Sequence, residues 1–294
     1  MIVVVGEQIV DRLVQPDGSA VDVAGGAPAN VAVALARLGA DVALRARIAD
    51  DEHAQLLRER LEASHVRTDL LVPAAGATST ALVQTDDHGC AAYAFSLDGT
   101  VDWQWTDDEL DGTTDRATAL VVGSLAMAMR PGCDAVERLA ATSTAHVFYD
   151  PNLRPALLRG DEHDRVERQV QLADVVKVSD EDLAVSHSDE DALAVARRWS
   201  AADRLVVLTL GARGSVALLA GDIAATADAL PVDVVDTVGA GDAFLAGLVH
   251  ALTAGDAVRD ALTFATRVAA VACTRAGAYA PLLDELPQAS AVSA

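Results

Sequence analysis

The sequence predicts an α/β protein: a three-layer α/β/α domain with a mostly parallel central sheet, plus a small β-sheet that forms a lid. Two observations carry this prediction. From residue 120 onward, short apolar runs rich in β-branched residues alternate with helical stretches, as in parallel sheets covered on both faces. Earlier in the chain, residues 78–85 and 90–96 alternate apolar and polar side chains around a polar turn, which indicates a hairpin off the main core.

Composition narrows the class of protein. Hydrophobic residues make up 51% of the chain and aromatic residues 3%, so Ala, Val and Leu must build the core. The formal net charge of -22 argues against nucleic acid or an anionic membrane as a partner. Lys177 is the single lysine, which excludes a Walker phosphate-binding loop, because that loop needs a lysine directly after its glycines.

Few features of the sequence bear on its location. Cys90, Cys133 and Cys273 are widely spaced and form no metal-binding or redox motif, which is typical of a reducing cytosol. The chain starts directly with an apolar strand at residues 2–5, and no apolar run reaches the roughly 18 residues that a membrane span needs. We therefore expect a cytoplasmic protein without a membrane partner.

The first hundred residues supply the expected lid, from segments at about 9–24, 42–48 and 78–97. Alternation predicts strands at 9–14 and 20–23, separated by a turn at 15–18. Asp11 is a single acid among apolar neighbours in the first of these strands. It is either an inward-facing ligand group or a solvent-facing residue, and the periodicity favours solvent.

A double glycine precedes the first predicted helix, in the motif GGAPAN at residues 25–30. Residues 31–38 place apolar side chains on one helical face, and Gly39 ends the helix. Glycines at a helix N-terminus let the backbone approach a ligand closely. Asn30 either caps this helix or binds a hydroxyl group with its amide.

Polar loops follow the predicted parallel strands, and ligands bind at the carboxyl ends of such strands. Arg154 pairs either with a phosphate or with a nearby surface acid. Residues 179–182 form either a helix N-cap with an acidic first turn or an outer-shell Mg²⁺ anchor. Residues 209–214 form either a simple turn into a strand at 216–219 or part of a ligand site. Because all these loops meet at one sheet edge, we expect a binding site there.

The motif DTVGAGDAF at residues 236–244 completes that edge. Residues 232–235 predict a short buried strand, the glycines a tight turn, and residues 243–252 an amphipathic helix. The free N–H groups of such a turn and the helix dipole favour an anion such as phosphate. Asp242 repels an anion, so it either caps the helix or takes a proton from a nucleophile that attacks phosphorus.

Taken together, the motifs at 25–30 and 236–242 resemble the two signatures of the ribokinase-like (phosphofructokinase B) family of sugar kinases. The resemblance covers essentially the whole chain, with both signatures in the family's order and spacing. It implies a single ribokinase-like domain over residues 1–294. It also implies ATP as the phosphate donor and a small-molecule sugar as the acceptor.

The family's site residues carry over onto matching positions. The resemblance implies that Asp242 is the general base and that the N–H groups of Gly239, Ala240 and Gly241 form the anion hole. The helix N-terminus is expected to lower the pKa of Asp242 and make it a weak base. The sugar would contact Asp11, Gly25, Gly26, Asn30, Arg154 and Asp242. The nucleotide would contact Lys177, Thr209, Gly211, Gly214, Gly239 and Gly241.

The resemblance also implies Mg²⁺ as a cofactor, and it points to K⁺ as a second cation. Ser179 and Asp182 match the outer-shell Mg²⁺ positions, where the family usually has Asn and Glu. The monovalent-cation positions are Asp236 and the backbone carbonyl groups of Val238, Ala272 and Gly277. Pro281 stands at the last cation position and offers no side-chain ligand.

The choice of sugar rests on smaller features. The pairs Gly6-Glu7 and Ala27-Pro28, together with residues 150–154, look more like the fructokinase branch than the ribokinase branch, so we expect D-fructose as substrate. The alternatives are a 2-keto-3-deoxygluconate kinase, whose substrate carboxylate would suit Arg154, and a catalytically silent binding protein on the same fold. Exposed strand edges in the lid predict a homodimer through the lid.

Overall fold

A computed structural model describes residues 1–14, 18–85, 91–154 and 157–287 of the chain. The predicted turn at 86–89 and most of the turn at 15–18 lie outside these ranges. In chain order the strands are β1 (Ile2–Val5), β2 (Ile9–Val14), β3 (Ala20–Gly25), β4 (Val42–Arg45), β5 (Arg47–Ile48), β6 (Val72–Pro73), β7 (Thr80–Thr85), β8 (Ala91–Ser96), β9 (Ala119–Gly123), β10 (His146–Asp150), β11 (Val175–Ser179), β12 (Leu205–Thr209), β13 (Ser215–Leu219) and β14 (Asp222–Ala227). The helices are α1 (Ala27–Arg37), α2 (Glu52–Ala63), α3 (Asp107–Leu110), α4 (Ser124–Ala128), α5 (Gly132–Thr142), α6 (Glu162–Val170), α7 (Asp180–Ser186), α8 (Ala192–Trp199), α9 (Ala240–Ala254) and α10 (Val258–Ala272).

Eight strands form the central sheet in the order β14-β13-β12-β11-β10-β9-β1-β4. The six strands from β4 to β12 run parallel, whereas β13 and β14 are antiparallel at one edge. Apolar, β-branched sequences suit these strands because helices cover both faces and leave almost no residue of the parallel strands exposed. The predicted parallel sheet is confirmed.

Helices on the two faces give the three layers. One apolar cluster joins the sheet to α1, α9 and α10, and a second joins its opposite face to α5, α6, α7 and α8. The carboxyl ends of β9 to β12 meet at one edge of the sheet, where the polar loops begin. Within the described ranges, none of the helices combines the length and apolar character that crossing a bilayer requires.

A separate four-stranded sheet has the order β3-β2-β7-β8. The predicted hairpin is confirmed, because β7 and β8 pair in antiparallel register from Thr80–Ser96 to Thr85–Ala91. The assignment of residues 42–48 to this sheet is wrong. β4 instead pairs with β1 in the central sheet, and β5 pairs with β6. The reason is topological: the chain leaves β1, forms β2 and β3, and returns through α1 to β4, and this crossover makes β1 and β4 parallel neighbours.

The predicted buried strand at residues 232–235 is also wrong. In this segment Val234 is 61% exposed and Val235 is 64% exposed. The segment leaves β14, at the edge of the sheet, and must reach α9, which packs against α1 and α10. A β-branched sequence alone does not make a strand, and residues 232–235 belong to none of the described strands.

Candidate active site

The N-terminus of α9 presents backbone N–H groups beside a carboxylate. Gly239 caps the helix in the left-handed conformation (φ 75°), and a Cβ atom there would lie 2.7 Å from the side chain of Ala278. Only glycine fits this position. The N–H group of Ala240 donates to the carbonyl of Thr237 (3.1 Å) and is committed to the turn. In the described part of the chain, the N–H groups of Gly239 and Gly241 have no acceptor, so they remain available to an anion.

Asp242 is buried in the first turn of α9 and is held by Asn30, 212 residues earlier in the sequence. The Asn30 amide nitrogen donates to Asp242 Oδ2 at 2.8 Å. Asn30 does not cap α1, because that helix starts at Ala27 after the cap residue Gly26. The hydrogen bond joins the two glycine motifs, so their residues form one site.

The pKa of Asp242 is raised, which overturns the expected weak base. Burial has the largest effect and favours the protonated form. The hydrogen bond from Asn30 opposes this shift, as do the positive charges of Arg154, Lys177 and Arg60. Loss of water around the carboxylate outweighs these opposing effects. Asp242 is therefore a stronger base than its position at a helix N-terminus predicts.

Asp11 faces this site, so the solvent-facing interpretation is wrong. Burial raises its pKa to about 6, against the opposing effects of Arg60 and Arg154, while Asp242 adds a like charge. A Cβ atom at Gly25 would lie 2.2 Å from Asp11 Oδ2. Glycine at position 25 therefore lets the backbone of β3 pass beside the carboxylate.

Lys177 and Asp150 form a buried ion pair next to the anion-binding turn. The ammonium group lies 2.9 Å from Asp150 Oδ2, and both side chains are less than a tenth exposed. A Cβ atom at Gly241 would lie 3.3 Å from the same ammonium nitrogen. Burial opposes the charge of Lys177, but Asp150, Asp182 and Asp242 together raise its pKa. The single lysine of the chain thus places a fixed cation beside the free N–H groups of the turn.

Asp150 and Asp242 line one cleft, together with Pro28, Ser124 and Asn152. Burial raises the pKa of Asp150 to about 6, although Lys177 lowers it. Its second oxygen, Oδ1, is buried and has no hydrogen-bond partner among the described residues. The sequence placed Asp150 only on the polar rim, and its pairing with Lys177 gives it a place in the site.

Ser179 and Asp182 form hydrogen bonds with one another at the start of α7. The Ser179 hydroxyl donates to Asp182 Oδ2 at 2.6 Å, and the Asp182 backbone N–H donates to Ser179 Oγ at 3.0 Å. Asp182 Oδ1 accepts from the backbone N–H of Leu153 at 2.7 Å. This is the N-cap alternative. Both side chains are occupied, so a role toward Mg²⁺ is confined to contact through a metal-bound water.

The remaining nucleotide and cation positions flank this edge. Thr209 pairs with Ser179 in the register of β11 and β12, and Gly211 and Gly214 shape the turn into β13. The carboxylate of Asp236 accepts from the backbone N–H groups of Val238 (3.0 Å) and Gly277 (2.8 Å). The backbone N–H of Asp236 donates to the carbonyl oxygen of Cys273, the residue after Ala272. The predicted monovalent-cation residues thus lie in one group of loops.

Sequence reasoning missed two charged residues, the half-buried Arg60 and the buried Glu7. Arg60 lies on α2 and donates to the Asn30 side-chain oxygen at 2.7 Å. Its neighbours in the sequence alternate charged and apolar residues, as on any surface helix, so no local pattern distinguishes it. Glu7 follows β1 and is buried beneath the site. Its pKa is affected by Ser124 and Asp102, which are distant in the sequence.

Glu7 predicts a pH-dependent stability. Burial raises its pKa from 4.5 to about 7, so the folded state binds a proton that the unfolded state releases between these values. Glu7 therefore stabilises the fold below about pH 5, and this contribution is lost as the pH rises through 7. At pH 8 we expect Glu7→Gln to exceed the wild type by up to about 3 kcal/mol in the free energy of unfolding, and so to unfold at a higher urea concentration. At pH 5 the two proteins should differ little.

Urea unfolding followed by circular dichroism at both pH values measures this difference. The exposed Glu62, changed to Gln, is the control and is expected to follow the wild type at both pH values. Equal stabilisation of Glu7→Gln at pH 5 and pH 8 would show that ionisation of Glu7 is not the cause.

A second polar cluster lies away from the site, where ligand atoms of His163, His187 and Glu190 lie within 4.8 Å of one another. Glu190 is already paired with Arg198 (2.5 Å), and the Nε2 atom of His187 lies 3.0 Å from Glu167. Both nitrogen atoms of His187 have hydrogen-bond partners. This cluster is therefore satisfied as a hydrogen-bonded ionic network.

Comparisons with known proteins identify relatives along the whole chain. A family model described as "pfkB family carbohydrate kinase" matches residues 1–285. A fructokinase of Klebsiella pneumoniae is 33% identical over 96% of this chain and 97% of its own length.

Solved structures agree with that result. A fructokinase from Xylella fastidiosa with bound ATP superimposes with a TM-score of 0.87, at 28% identity, over 97% of this chain and 96% of its own. A fructokinase from Vibrio cholerae, solved with fructose, ADP and calcium ion, gives a TM-score of 0.84, at 30% identity, over 94% of each chain. The fold predicted from the sequence is confirmed.

Proposed function

The chain belongs to the pfkB family of carbohydrate kinases, and on that premise we propose that it is a D-fructose kinase. It transfers the γ-phosphate of ATP to a primary hydroxyl group of the ketose and produces a hexose phosphate. The relatives named above are fructokinases, one of them solved with ATP and another with fructose and ADP.

One observation carries this proposal: the hydrogen bond of 2.8 Å between Asn30 and Asp242. Through this bond, the motif expected to hold the sugar meets the motif expected to hold the transferred phosphate. A base for the hydroxyl proton therefore lies between the two substrates. A binding protein without catalysis has no use for a buried carboxylate with a raised pKa beside an anion-binding turn.

Different residues of the chain serve different parts of the reaction. Asp242 accepts the proton of the attacking hydroxyl group, and its raised pKa makes that transfer more favourable. The free N–H groups of Gly239 and Gly241, with the ammonium group of Lys177, stabilise the charge on the phosphoryl group in transfer. The small sheet covers the sugar and keeps water from the phosphoryl group, which suppresses hydrolysis of ATP.

The charges of the site favour a neutral sugar over an acidic one. Asp11, Asp150 and Asp242 are matched by Arg60, Arg154 and Lys177, which lie close enough to shift their pKa values. Among the described residues of the site, these three positive charges equal the three carboxylates, so the carboxylate of 2-keto-3-deoxygluconate would add an unmatched negative charge. Fructose carries no charge and suits this balance.

Mg²⁺ accompanies ATP in this proposal, and the oxygen ligands at the rim fit it. Asp150 Oδ1 is a buried carboxylate oxygen without a partner among the described residues, which is the kind of ligand that Mg²⁺ prefers. Ser179 and Asp182 would contact it through water. When bound, the ion neutralises phosphate charge. Activity that survives EDTA treatment would contradict this assignment.

A monovalent cation, K⁺, is the second ion that we propose, at the loops of Asp236, Val238, Ala272 and Gly277. The carboxylate of Asp236 holds these loops together through its bonds to Val238 and Gly277. This cation site lies behind the turn of Gly239, and we infer that a bound cation supports the shape of the anion hole. Equal rates in potassium and in tetramethylammonium buffers would argue against the site.

We also propose a cytoplasmic homodimer that pairs through the lid. β3 is an edge strand of the small sheet and exposes Val21 (51%) and Val23 (41%) to solvent. Edge strands with exposed apolar side chains tend to be covered by another chain. A monomeric mass by light scattering at micromolar concentration would exclude this arrangement.

Phosphorylation of a panel of acceptors tests the function. We expect ATP consumption with fructose to exceed that with 2-keto-3-deoxygluconate, ribose or adenosine at least about tenfold in kcat/KM, because the residues at the sugar site discriminate through hydrogen bonds. A coupled assay for ADP measures all four rates under the same conditions. A higher rate with the sugar acid would replace fructose with that substrate, and no rate with any acceptor would overturn the kinase activity.

A further inference from the structure

Arg60 has an unusual environment for a residue of a surface helix. Its guanidinium group donates to Asn30 Oδ1 at 2.7 Å, and its other amino nitrogen, Nη1, is buried without a partner among the described residues. Leu57 and Leu61, on the same helix, are buried, and α2 packs against β2 and β3 of the small sheet. Arg60 thus reaches the sugar site from the side opposite α9.

The contacts of Asn30 leave its amide only one orientation. Arginine can only donate hydrogen bonds, and an ionised carboxylate can only accept them. With Arg60 on one side and Asp242 on the other, the amide oxygen must face Arg60 and the amide nitrogen must face Asp242. A flipped amide would place two donors together and two acceptors together.

The partial burial of the Arg60 guanidinium group is difficult to explain by stability. A partly buried cation loses part of its hydration, and here it gains one hydrogen bond to a neutral oxygen in place of an ion pair at contact distance. An apolar side chain packed beside Leu57 and Leu61 would avoid that cost. Arginine at this position therefore points to a role in the site itself.

We propose that Arg60 is a positioning residue: it fixes the Asn30 amide, and through that amide it holds Asp242 ionised and aimed at the attacking hydroxyl group. The inference rests on the proposed kinase activity and adds a residue to its machinery. The charged groups around Asp242 are Arg154 and Lys177 from the rim, Arg60 from α2, Asp150 from β10 and Asp11 from β2. Arg60 is the one that also contacts the residue bonded to the base.

The test compares Arg60→Met with Arg58→Met, since Arg58 lies on the same helix but is exposed. We expect Arg60→Met to lower kcat with fructose about tenfold to a hundredfold, with less than about a twofold change in the KM for ATP. Its melting temperature shows whether the variant is folded at the assay temperature, because the change removes an unsatisfied Nη1 group but also a positive charge near Asp11 and Asp242. A merely structural role predicts a loss of stability without the change in kcat. Arg58→Met should match the wild type in both measurements.

The pH profile and a double variant separate positioning from other effects. Removal of the cation should shift the acid limb of kcat/KM to higher pH by about one unit, because it raises the pKa of Asp242 further. Arg60→Lys keeps the charge and should leave that limb in place. The double variant Arg60→Met/Asn30→Ala should be no slower than Asn30→Ala alone, since Arg60 acts through Asn30.

Two results would overturn the inference: a kcat of Arg60→Met within twofold of the wild type, or fully additive losses in the double variant. Both are measured against a wild-type chain that phosphorylates fructose. If the wild type phosphorylates no acceptor, the proposed function fails first and the inference fails with it. The wild-type rate therefore distinguishes the two failures.

Discussion

Asp242→Asn is expected to lower kcat by at least about a hundredfold while nucleotide binding is largely kept, in line with the usual contribution of a general base. The amide cannot accept the proton of the attacking hydroxyl group. In the wild type the Asn30 amide nitrogen donates to Asp242 Oδ2 at 2.8 Å. In the variant, the amide that replaces the carboxylate turns either its oxygen or its NH₂ group toward Asn30. The loss should appear in kcat more than in the KM for ATP, because the anion-binding turn is unchanged.

Steady-state rates with fructose and equilibrium binding of ATP measure the two properties separately. Asp260→Asn is the matched control, because Asp260 lies in the first turn of α10, as Asp242 does in α9, but is exposed. The control should retain wild-type turnover. Turnover of Asp242→Asn within a few-fold of the wild type would remove Asp242 from the role of base.

Lys177→Met is expected to damage both stability and catalysis. Removing one partner of a buried ion pair leaves the other charge without compensation, which typically costs about 3–5 kcal/mol in the free energy of unfolding. Here that partner is Asp150, at 2.9 Å. The variant also loses the cation beside Gly241, and loss of one such charge-stabilising group usually lowers kcat about a hundredfold to a thousandfold.

The double variant Lys177→Met/Asp150→Asn separates the two effects. Because it removes both charges, we expect it to recover most of the stability measured by urea unfolding at pH 7.5. Its kcat should stay at least as low as that of the single variant, because the cation at the anion-binding turn is still missing and the carboxylate proposed to bind Mg²⁺ is lost as well. Recovery of turnover together with stability would mean that Lys177 only balances Asp150 and does not act on the phosphoryl group.

Several features of the fold followed from the sequence because their causes are local. Apolar β-branched runs at a regular spacing predicted the parallel sheet, and alternation predicted the β7–β8 hairpin. Glycine at 239 in a left-handed turn, followed by a helical pattern, placed Asp242 in the first turn of α9. Each of these depends on residues within a few positions of one another, so a single chain is sufficient to predict them.

Two segments were misassigned because their structure depends on distant neighbours. The run at 42–45 is apolar enough for either sheet, and its place beside β1 follows from the crossover through α1. Residues 232–235 have strand-like side chains but belong to none of the described strands. Local propensity does not specify a pairing partner, and the partner decides both cases.

The sequence by itself determined the family signatures, the parallel sheet and the carboxylate at the start of α9. Only the tertiary structure decided how that carboxylate behaves. Residues 30, 60, 154 and 177 surround Asp242, and burial outweighs their combined effect to raise its pKa. Electrostatic effects depend on distance in space and on exclusion of water, and neither quantity is written in the spacing of residues along the chain.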